Sequence, residues 1–254
     1  MKFAIIGGTG VYDVGEGHRS ETIQTMYGQI QIEVMTVGSD EIVFLPRHGK
    51  DHNTPPHLIN YQANMMGLKK YGVTHVLSTC AVGSCNSAYR PGDVVCICDF
   101  LDFTNNRDST FHDGVDGVKH TDMSEPYCSN LRSKTATASA KRGLDIVGDA
   151  VYVCTQGPRF ETAAEIQFYK MIGGDVVGMT NVPEVVLAKE LGLCYAAYGI
   201  VSNWCTGFKG EISIHDIKGT IGDKKDKLTE IFIDVFKNGV DQELCRCTSS
   251  VMEL

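Results

Sequence analysis

Long apolar runs are missing from this sequence. No stretch reaches the roughly eighteen consecutive apolar residues that a bilayer-spanning helix needs, so no membrane partner is expected. The first residues pass straight into a strand-like pattern without the basic leader of a secretory signal, and the expected location is the cytoplasm. Clustered positive charge is missing as well. Lys and Arg number 23 against 31 Asp and Glu, a net charge of -8, and the cations are scattered. A chain of that sign repels a phosphate backbone, which excludes nucleic acid as an expected partner. Repeats and low-complexity linkers are absent, as is the C-x-x-C spacing of zinc knuckles: Cys96/Cys98 and Cys245/Cys247 are separated by a single residue. On that spacing no metal is expected.

What is present is an ordinary globular composition. The chain has 254 residues, 43% hydrophobic and 21% charged. That length suits one well-buried α/β domain and is short for two. Ten cysteines are many, but Cys80, Cys96, Cys98, Cys154 and Cys194 lie in apolar runs and read as reduced core thiols. The tail Cys245-Arg246-Cys247 is an alternative, a tight redox clip.

Short apolar runs alternate with helical patterns, which predicts a mostly parallel sheet covered by helices. Strands are expected at 3–6, 30–37, 42–45, 73–78, 94–98, 151–154, 176–177 and 194–201. Helices are expected at 57–70, 130–142, 162–172, 183–191 and 226–236. Gly72, Gly143 and Gly192 follow helical patterns where a left-handed terminating residue belongs. The polar segment 104–127 is long for a connection and reads as an active-site or interface loop.

Chemistry-bearing residues gather at the predicted strand ends. Ile5-Ile6-Gly7-Gly8-Thr9-Gly10 runs a strand into a glycine turn whose amides and hydroxyl suit an anion. A dinucleotide-binding turn would need a third glycine where Asp13 stands, which leaves an NAD-dependent oxidoreductase as a remote alternative. Pro46-Arg47-His48-Gly49 places a planar cation and a titratable ring directly after a strand; an ion pair at a loop entry explains it equally well. Ser78 to Ser84 runs a strand into small residues, Thr155 to Thr162 puts Phe160 and Glu161 at the mouth of a helix, and Gly178 to Glu184 and Val201-Ser202-Asn203 close the set.

The motifs IIGGTG, RHG, N-Y-x-A-N, AVGS, H-x-D-M-x-E-P-Y, TQGPRFET, GMTNVPEVVLAKE and V-S-N together resemble the methylthioadenosine/methylthioinosine phosphorylase branch of the trimeric purine nucleoside phosphorylases. The resemblance covers nearly the whole chain and is fainter after Cys205. It implies a single α/β domain with a mixed, partly closed central sheet flanked by helices, a homotrimer, no cofactor, and inorganic phosphate as co-substrate. It places Thr9, Arg47, His48, Ala81 through its amide, and Thr180 at the phosphate. It places Phe160 by the base, Met179 by the ribose, and His120 across a subunit boundary at a neighbour's 5′ group.

Where relatives that take ordinary nucleosides carry a His for the 5′-hydroxyl, Ile214 stands here, with Ile217 one turn on, which implies an apolar 5′ substituent. Cys80 replaces the Thr or Asn usual in the family. Asn203 and Cys205 replace two Asp of adenine-specific relatives, and Glu161 replaces a small residue. An ionised Glu161 accepts from the N1–H of a 6-oxopurine and repels the bare N1 of adenine, while Asn203 donates to O6 and accepts from N7. The implied activity is phosphorolysis of a 6-oxopurine nucleoside, 5′-methylthioinosine foremost; the alternative is methylthioadenosine. Three further classes stand beside it: the oxidoreductase, a non-catalytic nucleoside-binding module, and a hydrolase of the same fold. Against hydrolysis, a buried Arg47 guanidinium demands an anionic partner, which phosphate would supply.

Overall fold

The computed structural model describes residues 1–7, 18–51, 53–209 and 214–253, without side-chain detail for 214–220. Thr9 and the rest of its glycine turn lie outside the described residues. Eleven strands are described: β1 Lys2–Gly7, β2 His18–Thr25, β3 Gly28–Val37, β4 Asp40–Pro46, β5 His75–Ser84, β6 Val94–Phe103, β7 Lys119–Thr121, β8 Ile146–Thr155, β9 Val176–Gly178, β10 Cys194–Trp204 and β11 Val251–Glu253. The helices are α1 Tyr61–Tyr71, α2 Ser129–Lys141, α3 Ala163–Met171, α4 Asn181–Glu190 and α5 Ile214–Lys237.

Nine strands form one mixed sheet in the order β10-β6-β8-β9-β5-β1-β4-β3-β2. β10 also pairs in parallel with β5, so β5, β10, β6, β8 and β9 close on themselves while β1, β4, β3 and β2 continue as an open wing. β5 manages both roles by length. Its first half, up to Ser78, pairs with β1, and its last two residues pair with β9. This is the mixed, partly closed sheet that the family resemblance implies; the mostly parallel sheet read from apolar alternation alone is corrected by the antiparallel β2–β3, β3–β4, β5–β9 and β6–β10 pairs.

β1 is buried on both faces, as a central parallel strand must be. Ala4 and Ile6 face a core built with Met65 and Leu68 of α1 and Val185 and Leu187 of α4. Phe3 and Ile5 face the other, with Leu228, Ile231, Phe232 and Val235 of α5; Phe3 stacks on Phe236 at 4.6 Å. The 3.6-residue period of that apolar stripe on α5 is what seats the helix against the sheet.

Helix ends follow their residues. Asn60 caps α1 by accepting from the Ala63 amide at 2.9 Å, and Thr162 and Glu165 form a capping box on α3. Gly72, Gly143 and Gly192 all adopt positive φ, as the sequence predicts.

Several expectations need correction. The helix expected from His57 begins at Tyr61, because Pro55 and Pro56 confine the preceding residues to a separate 3-10 turn at 56–58. The last helix starts at Ile214 rather than Asp226; Gly219 and Gly222, poor helix formers, hide its first half. β2, largely exposed and polar, was not expected, nor was the small β7–β11 sheet that ties the tail to segment 104–127. That segment is itself anchored: Arg107 donates to Val182 O at 2.6 Å and Gln156 O at 2.9 Å, and Glu190 accepts from the Phe111 amide at 2.6 Å.

Four cysteines from distant parts of the sequence meet in three dimensions. Cys128, Cys194, Cys245 and Cys247 bring their sulfurs within 4.8 Å of one another. Spacing rules consider neighbours along the chain, whereas this cluster is assembled from a helix start, a strand start and the tail.

Candidate active site

The strand-end residues converge on one cavity of about 270 Å³. β4 delivers Arg47 and His48, the second half of β5 delivers Thr79 to Gly83, and the loop after β8 delivers Phe160 and Glu161. Met179 and Thr180 follow β9, and Ser202, Asn203 and Cys205 come from the end of β10. The site thus lies where the closed part of the sheet meets the open wing, a place where strand ends diverge and leave room for a ligand.

Arg47 is fixed more firmly than its sequence position indicates. Its Nε and Nη2 donate to the two Glu184 carboxylate oxygens at 2.7 and 2.8 Å, with both side chains buried. Nη2 also donates to Ser78 Oγ at 2.5 Å and Nη1 to Thr79 O at 2.9 Å. The anionic partner demanded by the buried guanidinium is therefore Glu184, and the argument that it must be phosphate does not hold. One Nη1–H stays uncommitted among the described residues. Behind the pair, Tyr195 donates to Glu184 Oε1 at 2.7 Å and receives the Asn181 amide at 3.2 Å, while Tyr127 donates to Asn181 Oδ1. Nothing in the sequence marks Glu184 as this partner, 137 residues from Arg47.

His48 is half-buried, and its Nδ1 lies 2.8 Å from Thr54 O. A carbonyl can only accept, so Nδ1 carries a proton and the ring is held in a fixed orientation at the cavity wall. Ala81 lines the cavity from within β5. Thr180 precedes α4 but makes no side-chain cap bond, and its amide donates to the Tyr152 hydroxyl at 3.2 Å. Cys80 donates to Tyr198 O at 3.7 Å, and burial pushes its thiol up to about 12; it faces the cavity as a neutral group.

Glu161 accepts from Thr155 Oγ1 at 2.6 Å, which leaves its second oxygen for a ligand. The Asn203 carbonyl accepts from Ser202 Oγ at 2.7 Å, and its amide nitrogen donates to Trp204 O at 2.8 Å. Each half of the amide is oriented and keeps one hydrogen-bonding position in reserve. A hydrogen bond with Cys85 and burial raise the Cys205 thiol well above its ordinary range, so it supplies no charge. Phe160 lines the cavity with 48% of its surface exposed. Gly83 is required for the close approach of these groups: a Cβ there would stand 2.9 Å from Cys205 Sγ and 3.3 Å from Asn203 Nδ2.

The side chains of Ile214 and Ile217 lie outside the described residues. One and two further turns along α5, Ile221 and Lys225 line the cavity. Neither was anticipated, although the stripe Ile214, Ile217, Ile221, Leu228 was readable once the helix is extended through its glycines. His120 is exposed on β7 and does not line this chain's own cavity.

The match to known proteins decides the family. Residues 2–237 fit the phosphorylase superfamily. The chain belongs to that superfamily. It is 42% identical to the 6-oxopurine nucleoside phosphorylase of Pyrococcus furiosus, over 98% of this chain and 97% of that one. It is likewise 42% identical to a probable S-methyl-5′-thioinosine phosphorylase of Methanothermobacter thermautotrophicus, over 96% and 86%. A methylthioadenosine phosphorylase of Schistosoma mansoni, solved with adenine, superposes with a TM-score of 0.89 at 29% identity, covering 98% of this chain and 96% of that one. No described helix is long and apolar enough to cross a membrane.

Proposed function

We propose that this phosphorylase cleaves a 6-oxopurine nucleoside with inorganic phosphate, releasing the free purine and ribose 1-phosphate, and that 5′-methylthioinosine fits it best. The observation that carries the base assignment is the pairing of Glu161 and Asn203 in one cavity, each oriented by a protein partner and each with hydrogen-bonding capacity left over. Glu161 accepts from N1–H, and the remaining Asn203 N–H donates to O6. As the glycosidic bond breaks, its electron pair moves into the purine; N7 takes a proton from solvent, and the Asn203 carbonyl accepts from N7–H. Adenine would set its N1 lone pair against the Glu161 carboxylate, and a site built on such bonds discriminates because the wrong base leaves buried groups unpaired.

On the phosphate side, Arg47 offers its remaining Nη1–H, His48 its ring, and Thr180 its hydroxyl, with Thr9 and the Ala81 amide completing the cradle. Holding phosphate in line with C1′ supplies much of the catalysis, because the sugar develops cationic character and the bond-making partner is already in place. Arg47, His48 and Asn203 form the catalytic set. Met179 packs on the ribose and Phe160 on the base. Ile221 gives the cavity an apolar wall from α5, the helix whose sequence also carries Ile214 and Ile217, which favours a methylthio over a hydroxyl substituent: a hydroxyl buried there without a partner costs about 1–3 kcal/mol. No cofactor takes part.

The active unit is a homotrimer in the cytoplasm, serving purine salvage, in which His120 of one subunit reaches the 5′ group in its neighbour. An active monomer in light scattering overturns that arrangement. The activity itself is tested by purine release from methylthioinosine, methylthioadenosine and inosine, each with and without phosphate. Phosphate-dependent release with methylthioinosine preferred is the expected result. Equal turnover of methylthioadenosine rejects the roles given to Glu161 and Asn203, and undiminished turnover without phosphate rejects phosphorolysis.

A further inference from the structure

The cysteine cluster lies away from the cavity and is unused by the reaction. Cys128 sits at the N-cap of α2, Cys194 opens β10, and Cys245 and Cys247 come from the turns after α5. Three are buried and Cys245 is half-buried. All four sulfurs lie within 4.8 Å of one another, with Cys194 and Cys245 at 3.3 Å. In a tetrahedral zinc thiolate, metal–sulfur bonds of about 2.3 Å put the sulfurs about 3.8 Å apart, so the cluster needs only small adjustments to enclose an ion.

The surroundings are those of a built site. The Cys128 amide donates to Tyr195 O at 2.8 Å, locking the α2 start against β10. Gly192, whose φ of +64° favours glycine, lies in contact range of the tail beside Thr248. His75 stands in register with Cys194 on the neighbouring strand, is fully buried, and has an Nε2 without a hydrogen-bond partner. An imidazole N–H beside a thiolate shell is the outer-sphere donor such sites use, and the N-terminal dipole of α2 opposes the shell's negative charge. Cys80, Cys96, Cys98 and Cys154 belong to no such cluster among the described residues.

We propose that Cys128, Cys194, Cys245 and Cys247 form a closed tetrathiolate site for a structural zinc ion, which pins the C-terminal tail to the core. Each thiol releases its proton to solvent and gives a sulfur lone pair to the metal, so no electrons change hands. Four soft ligands with no carboxylate select zinc over magnesium or calcium. Closing the same cysteines into two disulfides would instead remove two hydrogens per pair and requires an oxidant that nothing in the fold supplies. The pinned tail continues into β11, whose Met252 pairs with His120 on β7, so the ion also steadies that segment.

The test is elemental analysis of the full chain purified in reducing buffer without chelator, followed by Co²⁺ titration of the chain after zinc removal. About one zinc per chain and a thiolate-to-cobalt charge-transfer band are expected. Cys245→Ser/Cys247→Ser should cut the metal content at least tenfold. Hydrogen exchange at 119–121 and 251–253 should rise in that variant and in the zinc-stripped parent chain. The proposal is overturned if the reduced parent chain gives no charge-transfer band, or if intact mass of the chain as purified, before any further reduction, is four hydrogens below the all-thiol value, as two disulfides. Neither readout depends on which nucleoside is cleaved.

Discussion

The Arg47 guanidinium and the Glu184 carboxylate form a two-point ion pair at 2.7 and 2.8 Å inside the protein, with both side chains essentially sealed from solvent. The pair joins the end of β4 to the first turn of α4, and it holds the cation at the cavity wall without leaving it uncompensated. Breaking it from one side strands a buried charge, which costs about 3–5 kcal/mol. Arg47→Ala should therefore lower the melting temperature and reduce kcat/KM at least about tenfold. Arg47→Met/Glu184→Leu removes both charges and should regain part of the melting temperature without regaining turnover. Recovery of both, measured by calorimetry and purine release, would show that the cation acts on stability alone.

Thr180→Val removes a hydroxyl at nearly constant volume. Its side chain makes no helix-capping bond, so the helix should not suffer. A hydrogen bond to a charged group is worth about 1.5–3 kcal/mol. Its loss should raise the KM for phosphate about tenfold or more, with the KM for the nucleoside little changed. An unchanged phosphate KM in initial-rate measurements removes Thr180 from the cradle.

Gly83→Ala inserts a methyl 2.9 Å from Cys205 Sγ and 3.3 Å from Asn203 Nδ2. Overpacking of this kind costs about 1–3 kcal/mol, and here the strain falls on Asn203, the group proposed to meet the base. The expected outcome is a modest loss of melting temperature with a fall in kcat/KM of at least about tenfold. Activity equal to the parent chain would place Asn203 away from the reacting purine.

Glu41 gives the pH dependence. Hydrogen bonding from Arg19, then from Lys2 and Tyr71, lowers its carboxyl to about 2 from an ordinary value of 4.5. A depressed carboxyl stabilises the fold above the unfolded value. That contribution is lost as pH falls from 4.5 toward 2, because the unfolded chain takes up the proton first. The group is partly solvated, so the contribution is about 1 kcal/mol or less. Urea denaturation at pH 7 and pH 3.5 should show a smaller acid loss for Glu41→Gln than for the parent chain. Equal losses would exclude Glu41 as a contributor.

Local rules made much of this protein legible in its sequence. Apolar periodicity located β1, β4, β10 and the second half of α5, because burying one stripe or both faces of a strand leaves a pattern that neighbours in sequence must carry. Gly72, Gly143 and Gly192 marked helix ends because few other residues accept positive φ. The strand-end motifs named the residues that share the cavity, since strand ends are where backbone and side chains are free of the sheet. Tertiary structure alone decided the partners. Glu184 neutralises Arg47 across 137 residues, Ile221 and Lys225 reach the cavity because α5 runs through two glycines, and four scattered cysteines meet because the tail returns beside β10. Sequence spacing records what lies within a turn or two along the chain; charge compensation and ligand clusters depend on distances that only the packed fold sets.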